Sequence, residues 1–286
     1  MVSRITHRPL TPFGAEVQLD PASVLDAADK AELRRLYQAE GLILIRGLRL
    51  SMDEQLDLCS VFGPVMRGSR ENYLVSNVHK AGLLGTRELL FHNDVPYVPA
   101  PYLGGSLHAL EVDEDVAATR FASGLRAYAR LPAALRARID GLNALQVRER
   151  VEGRRNRLTD MLPGDLCSLH PVAPRREDGR RYLFVNQAMT AHVVGLSEAE
   201  SEALIEELLS HLYAEDEIYE HVWTRGDIVI WDNLAVQHAR KPLGPGARTL
   251  QRVTIAEIGY WDQWPTDLPT FDELHTFKAE PAASSL

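Results

Sequence analysis

The chain has 286 residues and a formal net charge of −9, with 45% hydrophobic and 25% charged residues. These proportions are those of a globular protein with one core, and the acidic balance argues against binding to a nucleic-acid backbone, which requires a basic face. Apolar runs are too short to cross a bilayer, the first residues lack the apolar core of a secretory signal, and two cysteines are too few for a disulfide framework. We therefore expect a cytoplasmic protein that binds neither nucleic acid nor membrane.

The first part of the chain is predicted to form a scaffold of alternating strands and helices. Asp20 and Pro21 are suited to cap and begin the first helix, and Gly41 to end it in a left-handed conformation. Ser51-x-x-Glu54 is a capping box that begins a second helix. The predicted elements are a strand at 10–18 with a turn at 12–14, a helix from 20 to 41, a strand at 42–45, a helix from 51 to 63 and a strand at 73–78.

A glycine-containing loop at 80–88 leads into the extended segment Leu89-Leu90-Phe91-His92-Asn93-Asp94-Val95. Residues i and i+2 of an extended chain share a face, so His92 and Asp94 would present an imidazole and a carboxylate side by side. The best candidate for a third ligand is the distant His238. Two histidines and one carboxylate form the facial triad typical of non-haem Fe(II) oxygenases. We therefore predict that these three residues are the metal ligands and the catalytic centre.

The remainder of the chain predicts more short strands, joined by helices and charged turns. Thr119 precedes a predicted helix, Ser197-x-x-Glu200 is another capping box, and the arginine-rich segment 148–157 predicts an exposed loop. The predicted strands are 103–112, 166–172, 182–186, 218–223, 227–231 and 248–258, and the predicted helices follow residues 119, 132 and 197. This pattern indicates a single domain over residues 1–286, mainly β with flanking helices, and a frayed tail at about 279–286.

The last predicted strand carries Arg248 and Arg252 on one face, because they are an even number of residues apart. Arginine is suited to clamping a planar carboxylate with two parallel hydrogen bonds, so two such residues could hold two different anions. Each of the supporting residues also has a simpler interpretation. Arg252 could neutralise a buried carboxylate, and Thr119 could be only a helix cap.

In their order and spacing, these motifs resemble the taurine dioxygenase (TauD/TfdA) family of Fe(II)/2-oxoglutarate-dependent dioxygenases. The motifs are His92-x-Asp94, His238 after Trp-Asp-Asn, and the arginine pair. The resemblance covers most of the chain, from Pro12-Phe13-Gly14-Ala15-Glu16-Val17 through His170-Pro171-Val172 and Phe184-Val185-Asn186 to Arg252. It implies a double-stranded β-helix, or jelly-roll, fold of the clavaminate synthase-like type.

The resemblance also implies residue roles. His92, Asp94 and His238 would hold Fe(II), Arg248 would bind the distal carboxylate of 2-oxoglutarate with help from Thr119, and Arg252 would meet an acidic group of the substrate. The implied reaction uses O2 and couples oxidative decarboxylation of 2-oxoglutarate, to succinate and CO2, with hydroxylation or desaturation of an aliphatic C–H bond. Related halogenases replace the metal carboxylate with a small residue, so Asp94 argues against halogenation.

Two positions depart from the taurine-type pattern and bear on the substrate. Glu88 stands where those members have an asparagine four residues before the first metal histidine, and Met189 lies near the position of an aromatic side chain. These departures favour an intermediate of specialised metabolism over a scavenged small sulfonate or carboxylate. The predicted lid and substrate loops span about 79–91 and 148–165. The predicted substrate contacts are Arg252, His79, Glu88, Met189 and Tyr97.

Two other classes of function remain open from the residues alone. A non-catalytic metal-binding β-barrel that senses a ligand would have no required role for Arg248. A zinc hydrolase could use the same triad but would need neither that arginine nor O2. The expected partner is a small molecule. The resemblance further implies a homodimer or homotetramer, since relatives of this kind are often dimers or tetramers.

Overall fold

The computed structural model describes residues 3–19, 24–114, 116, 118–149 and 153–263. Most of its regular structure is β. The strands are β1 (Thr6–Pro9), β2 (Ala15–Gln18), β3 (Leu42–Ile45), β4 (Leu74–Ser76), β5 (Leu83–Leu84), β6 (Leu89–His92), β7 (Gly104–Val112), β8 (Thr119–Ser123), β9 (Asn143–Val147), β10 (Cys167–Pro171), β11 (Thr190–Val193), β12 (Ile218–His221), β13 (Ile228–Asp232), β14 (Val236–Arg240) and β15 (Arg248–Ile255). The α-helices are α1 (Ala27–Glu40), α2 (Met52–Cys59), α3 (Gly124–Arg130), α4 (Ala133–Ile139) and α5 (Glu198–Leu212).

Two of the sheets face each other and enclose an inner core. The larger has the strand order β1-β2-β3-β13-β7-β15-β4-β5, and the smaller has the order β12-β8-β14-β6. One buried cluster draws residues from both sheets, including Leu107 and Leu250 from the larger and Phe121 and Val236 from the smaller. Side chains on a strand alternate between faces, so these residues occupy the space between the sheets, where the candidate site also lies.

Helices cover the outer face of the larger sheet and one end of the structure. Ile230 and Val253, on central strands of the larger sheet, pack with Leu33 of α1 and Leu56 of α2. A second cluster joins α3, α4 and α5 to a third sheet with the order β10-β9-β11. The predicted mainly-β fold with flanking helices is thus confirmed.

Capping residues define the helix ends largely as the sequence predicts. Capping boxes at Ser51 and Ser197 begin α2 and α5, and Gly41 ends α1 with a φ of 75°, in the left-handed region. The first helix, however, begins later than predicted: Asp26 is its cap, and residues 24–26 are not helical. Asp20 and Pro21, predicted as its start, lie outside the described residues, as does the predicted tail at 279–286.

Two predicted elements are wrong because tertiary pairing determines the local structure. The segment after Thr119 is strand β8, which pairs with β12 on one side and β14 on the other, and its helix begins only after the cap Ser123. Residues 182–186 are not a strand. They are buried, and their amides bond singly to separate segments, Leu183 to the carbonyl of Gly124 and Phe184 to that of Val172.

One arginine of the segment predicted as an exposed loop, Arg155, is not exposed. The Arg155 side chain is buried and forms an ion pair of 2.7 Å with Glu202 on α5. The cause is an ion pair with a helix that is distant in sequence. The residue pattern within the segment itself cannot indicate such a partner. No helix within the described part of the chain is both long and apolar enough to span a membrane.

Candidate active site

The predicted triad converges where β6 and β14 lie side by side. His92 ends β6, Asp94 follows two residues later, and His238 lies directly opposite His92 in the antiparallel register. One potential ligand atom from each side chain lies within 4.8 Å of the other two. Strand pairing therefore joins three groups that the sequence keeps far apart.

Both histidines are prepared to offer a lone pair. The Nδ1 of His92 lies 2.7 Å from the carbonyl oxygen of Leu90, and donation of its proton there leaves Nε2 free on the side facing Asp94, 3.8 Å away. Burial, with a contribution from His92, lowers the pKa of His238 to about 3, so that imidazole is neutral at pH 7. A neutral ring is the form that binds a metal ion.

Asparagine side chains hold the backbone turn that carries Asp94. The Oδ1 of Asn233 accepts a hydrogen bond of 2.7 Å from the Asp94 amide, and its Nδ2 donates to the carbonyl oxygens of Asp94 and Tyr102. Asn93 in turn donates to the carbonyl oxygen of Asn233 at 2.6 Å. The asparagine of the Trp-Asp-Asn motif therefore positions the carboxylate, a role that the sequence did not reveal.

Arg252 forms a buried ion pair with Asp94. Its Nη2 donates to Oδ2 of Asp94 at 2.8 Å, and its Nη1 donates to the hydroxyl of Tyr73 at 2.8 Å. Burial acts to raise the pKa of Asp94, but the positive charge of Arg252, which also donates a hydrogen bond to this carboxylate, outweighs it, so that the pKa lies below its ordinary value. The carboxylate is thus ionised at neutral pH.

Arg248 lies on the same strand but has no anionic partner among the described residues. Its side chain is buried, its Nη2 donates to the hydroxyl of Thr119 at 2.9 Å, and its Nε has no hydrogen-bond partner. Trp223 donates to the same hydroxyl at 2.9 Å, and its ring lies 5.7 Å from the guanidinium carbon. Because the Thr119 oxygen accepts two hydrogen bonds, its own proton remains for a third group.

A cavity of about 430 Å³ lies next to the triad. Its wall contains four tyrosines, several apolar side chains and three arginines besides Arg252. The tyrosines are Tyr73, Tyr97, Tyr102 and Tyr260, and the three arginines are Arg70, Arg87 and Arg148. The wall also contains the carboxylate groups of Glu71 and Glu149, and Arg87 lies 3.6 Å from Glu149.

The structure divides the predicted substrate contacts into two groups. Arg252, Met189 and Tyr97 line the cavity, whereas His79 and Glu88 are exposed and lie outside its lining. Arg248 and Thr119 also lie outside the lining, between the sheets. The sequence did not single out Arg70 or Trp223, because neither belongs to a spaced motif.

Comparison with known proteins decides the family. The model of the family described as taurine catabolism dioxygenase TauD, TfdA family matches residues 6–254. The chain belongs to this family. It is therefore a 2-oxoglutarate-dependent dioxygenase of the non-haem iron type, as its sequence motifs predict.

Curated relatives of this TauD/TfdA family member cover nearly its whole length. The alpha-ketoglutarate-dependent 2,4-dichlorophenoxyacetate dioxygenase of Cupriavidus pinatubonensis is 29% identical, over 88% of this chain and 98% of the relative. Pentalenolactone F synthase of Streptomyces arenae is 26% identical, over 88% of this chain and 94% of that protein.

A solved structure confirms the fold. The crystal structure of a taurine dioxygenase from Burkholderia xenovorans superposes with a TM-score of 0.74 at 25% identity, covering 88% of this chain and 90% of that one. The predicted jelly-roll of the TauD type is confirmed.

Proposed function

We propose that this dioxygenase binds Fe(II) through His92, Asp94 and His238 and oxidises an aliphatic C–H bond of a small organic acid. The observation that carries the proposal is the convergence of the three side chains within 4.8 Å beside a cavity lined by arginines and tyrosines. Two imidazoles and one carboxylate are the donor set of non-haem Fe(II) oxygenases. When bound, the iron supplies open coordination positions for 2-oxoglutarate and O2 and the oxidising power of the reaction.

Arg248 is suited to hold the distal carboxylate of 2-oxoglutarate. A buried guanidinium without an anion is costly, and a carboxylate offers it two parallel, charge-assisted hydrogen bonds. Thr119 would donate its remaining proton to the same carboxylate, while Trp223 keeps the threonine oxygen in place. The distal carboxylate of 2-oxoglutarate would thus supply the negative charge that pairs with the buried Arg248 guanidinium.

Arg252 and the cavity wall favour a substrate with an acidic group on an apolar or aromatic body. Arg252 has two hydrogen-bonded neighbours, Asp94 and Tyr73, and lies at the boundary between the triad and the cavity. Arg70, Arg87 and Arg148 add positive charge to the wall, Glu71 and Glu149 offset much of it, and the remaining excess of arginine favours an anion. The departures at Glu88 and Met189 favour a specialised metabolite as the substrate. The arginines favour a carboxylic acid, whether that acid is a specialised metabolite or a compound scavenged as a nutrient. An aryloxy acid, as in the name of one relative, has this chemistry.

The decisive test is an anaerobic titration of the metal-free protein with Fe(II) and then 2-oxoglutarate. A weak visible charge-transfer band is expected in the wild type, and His92→Ala should abolish it. His211→Ala, on α5 away from the site, should retain it and serves as the matched control. Once the band is observed, the rate of succinate release would be compared across a panel of aryloxy, aliphatic and sulfonic acids to identify the substrate.

Other outcomes would favour the competing functions. Metal binding without a band and without succinate would contradict the proposal and favour a non-catalytic ligand sensor. Hydrolytic activity with zinc in the absence of O2 would favour a hydrolase.

Two further proposals concern the organisation of the protein. We propose that the chain forms a single dioxygenase domain and that this domain assembles as a homodimer or homotetramer. Light scattering of the purified chain would measure the mass of the assembly directly.

We also propose that His79 and Glu88 are lid residues that contact the bound substrate. Alanine substitution at either should raise the KM of the substrate, and an unchanged KM would remove them from the site.

A further inference from the structure

Arg240 is a buried arginine that belongs to none of the motifs assigned to the reaction. It ends strand β14, two residues after His238 and therefore on the same face of the strand. Its side chain is only 3% exposed. No carboxylate within the described part of the chain forms an ion pair with it, so its charge is not explained by a buried salt bridge.

The guanidinium instead gathers main-chain carbonyl groups. Its Nη2 donates to the carbonyl oxygens of Leu84 at 3.1 Å, Gly85 at 3.1 Å and Arg87 at 2.6 Å. The remaining carbonyl of this turn, that of Thr86, accepts a hydrogen bond of 3.0 Å from the amide of Leu243. Residues 240–243 thus bind four consecutive carbonyl groups of residues 84–87, which we call the lid turn.

The lid turn has a backbone conformation that its own sequence does not favour. Leu84 has a φ of 67° and Gly85 a φ of 42°, two left-handed residues in succession. Glycine adopts this region freely, but leucine rarely does, because its Cβ approaches the following carbonyl oxygen. The Arg240 guanidinium binds three of the four carbonyl groups of the turn and is therefore suited to hold it in this conformation.

The lid turn also forms part of the substrate cavity. Leu84 and Arg87 line that cavity, together with Leu83 before them and Leu89 after them. Arg240 consequently ties one wall of the cavity to the strand that carries His238.

We propose that Arg240 is a positioning residue that holds the lid turn closed over the substrate. The proposal rests on the proposed function for its kinetic consequence, but the anchoring itself is a property of the metal-free protein. Releasing the turn would widen the cavity, weaken substrate binding and admit water. 2-Oxoglutarate would then be consumed without matching oxidation of the substrate. Binding of 2-oxoglutarate would be affected less, because Arg240 acts on Arg248 only through its charge and donates no hydrogen bond at that site.

The first experiment measures hydrogen exchange of the lid-turn amides in the metal-free protein. Arg240→Met preserves the length of the side chain and removes its donors, and we expect exchange to become at least about tenfold faster in peptides covering residues 84–88. Peptides from β8 and α5 should be unchanged. Arg138→Gln, which removes an exposed arginine that pairs with Glu207, is the matched control and should leave the lid turn as in the wild type.

Kinetics then separate positioning from simple structural support. Arg240→Met should raise the substrate KM about tenfold and lower the ratio of oxidised substrate to succinate, while the 2-oxoglutarate titration midpoint changes by a smaller factor than the substrate KM. Arg240→Lys keeps the charge but not the planar donor geometry, and should fall between Arg240→Met and the wild type.

Unchanged lid exchange in Arg240→Met would overturn the proposal, as would faster exchange with an unchanged KM and an unchanged coupling ratio. If Arg240→Met does not fold, exchange in Arg240→Lys equal to that of the wild type would overturn it instead. A wild-type protein that produces no succinate would contradict the proposed function alone, because the exchange experiment needs neither iron nor co-substrate.

Discussion

Arg252 and Arg248 are four residues apart on β15, both are buried, and their electrostatic surroundings are opposite. Arg252 has an internal anion, Asp94, at 2.8 Å. Arg248 has a hydroxyl and an indole ring but no carboxylate among the described residues. Burial acts to lower the pKa of both guanidinium groups. For Arg252 the Asp94 carboxylate outweighs it and the pKa is raised, whereas the pKa of Arg248 falls to about 9.

Arg252 has its counter-ion within the folded protein, whereas Arg248 has none among the described residues. A buried ion pair is complete without a ligand, and removal of one partner destabilises the protein. An unpaired buried charge costs stability that a bound anion can restore. We therefore propose that the same residue type on the same strand stabilises the fold at one position and binds a ligand at the other.

The largest expected effect is on co-substrate affinity at the unpaired arginine. Arg248→Met should weaken 2-oxoglutarate binding about 100-fold or more, because a charge-assisted clamp on a desolvated carboxylate is lost. The midpoint of the anaerobic 2-oxoglutarate titration measures this. The metal-free variant should be as stable as the wild type or more so, since an unpaired charge has been removed. Lower stability with normal affinity would reverse the assignment of the two arginines.

The paired arginine should show the opposite balance. Arg252→Met leaves the Asp94 carboxylate buried without its partner, and we expect a loss of about 3 kcal/mol in the free energy of unfolding of the metal-free protein. Urea denaturation measures the change. The double variant Asp94→Asn/Arg252→Met should recover much of the loss, and equal destabilisation in the single and double variants would show that the pair does not stabilise the fold.

A smaller effect is expected at the hydroxyl that supports Arg248. Thr119→Val keeps the shape of the side chain and removes the group that joins Arg248 to Trp223, which should weaken 2-oxoglutarate binding about tenfold. Substrate KM at saturating 2-oxoglutarate should change little. Thr190→Val, at a buried hydroxyl bonded to Gln146, is a control that should leave 2-oxoglutarate affinity unaltered.

The smallest effect is expected at Trp223. Trp223→Phe retains an aromatic ring but loses the hydrogen bond to Thr119, so 2-oxoglutarate affinity should fall only about two- to threefold. The same titration measures it. A loss as large as that of Arg248→Met would mean that the indole, rather than the guanidinium, organises the anion site.

Much of the site was predictable because its residues occur in spaced motifs. His92 and Asp94 share a face by strand geometry alone, and the position of Arg248 and Arg252 on one strand follows from the same period of two. The structure brings the triad together as predicted. Its ligand role, like that of Arg248, stays a prediction until the titration is done.

Two of the errors in the prediction share one cause, which is pairing between distant segments. The sequence predicts a helix after Thr119, but β12 and β14 pair with this segment and make it a strand. The sequence predicts a solvated loop around Arg155, but this side chain is buried in an ion pair with Glu202 on a distant helix. Local periodicity and capping signals contain no information on such partners.

The sequence by itself determined the reaction family and the main capping residues, and it predicted which groups would bind metal and 2-oxoglutarate. These follow from residue type and spacing, which act over a few positions. Only the tertiary structure decided that Asp94 pairs with Arg252, that Arg248 lacks an anion, and that Arg240 holds the lid turn. Each of these depends on which strands become neighbours. Burial then magnifies the consequence, because a charge removed from water must find a partner in the protein or in a ligand.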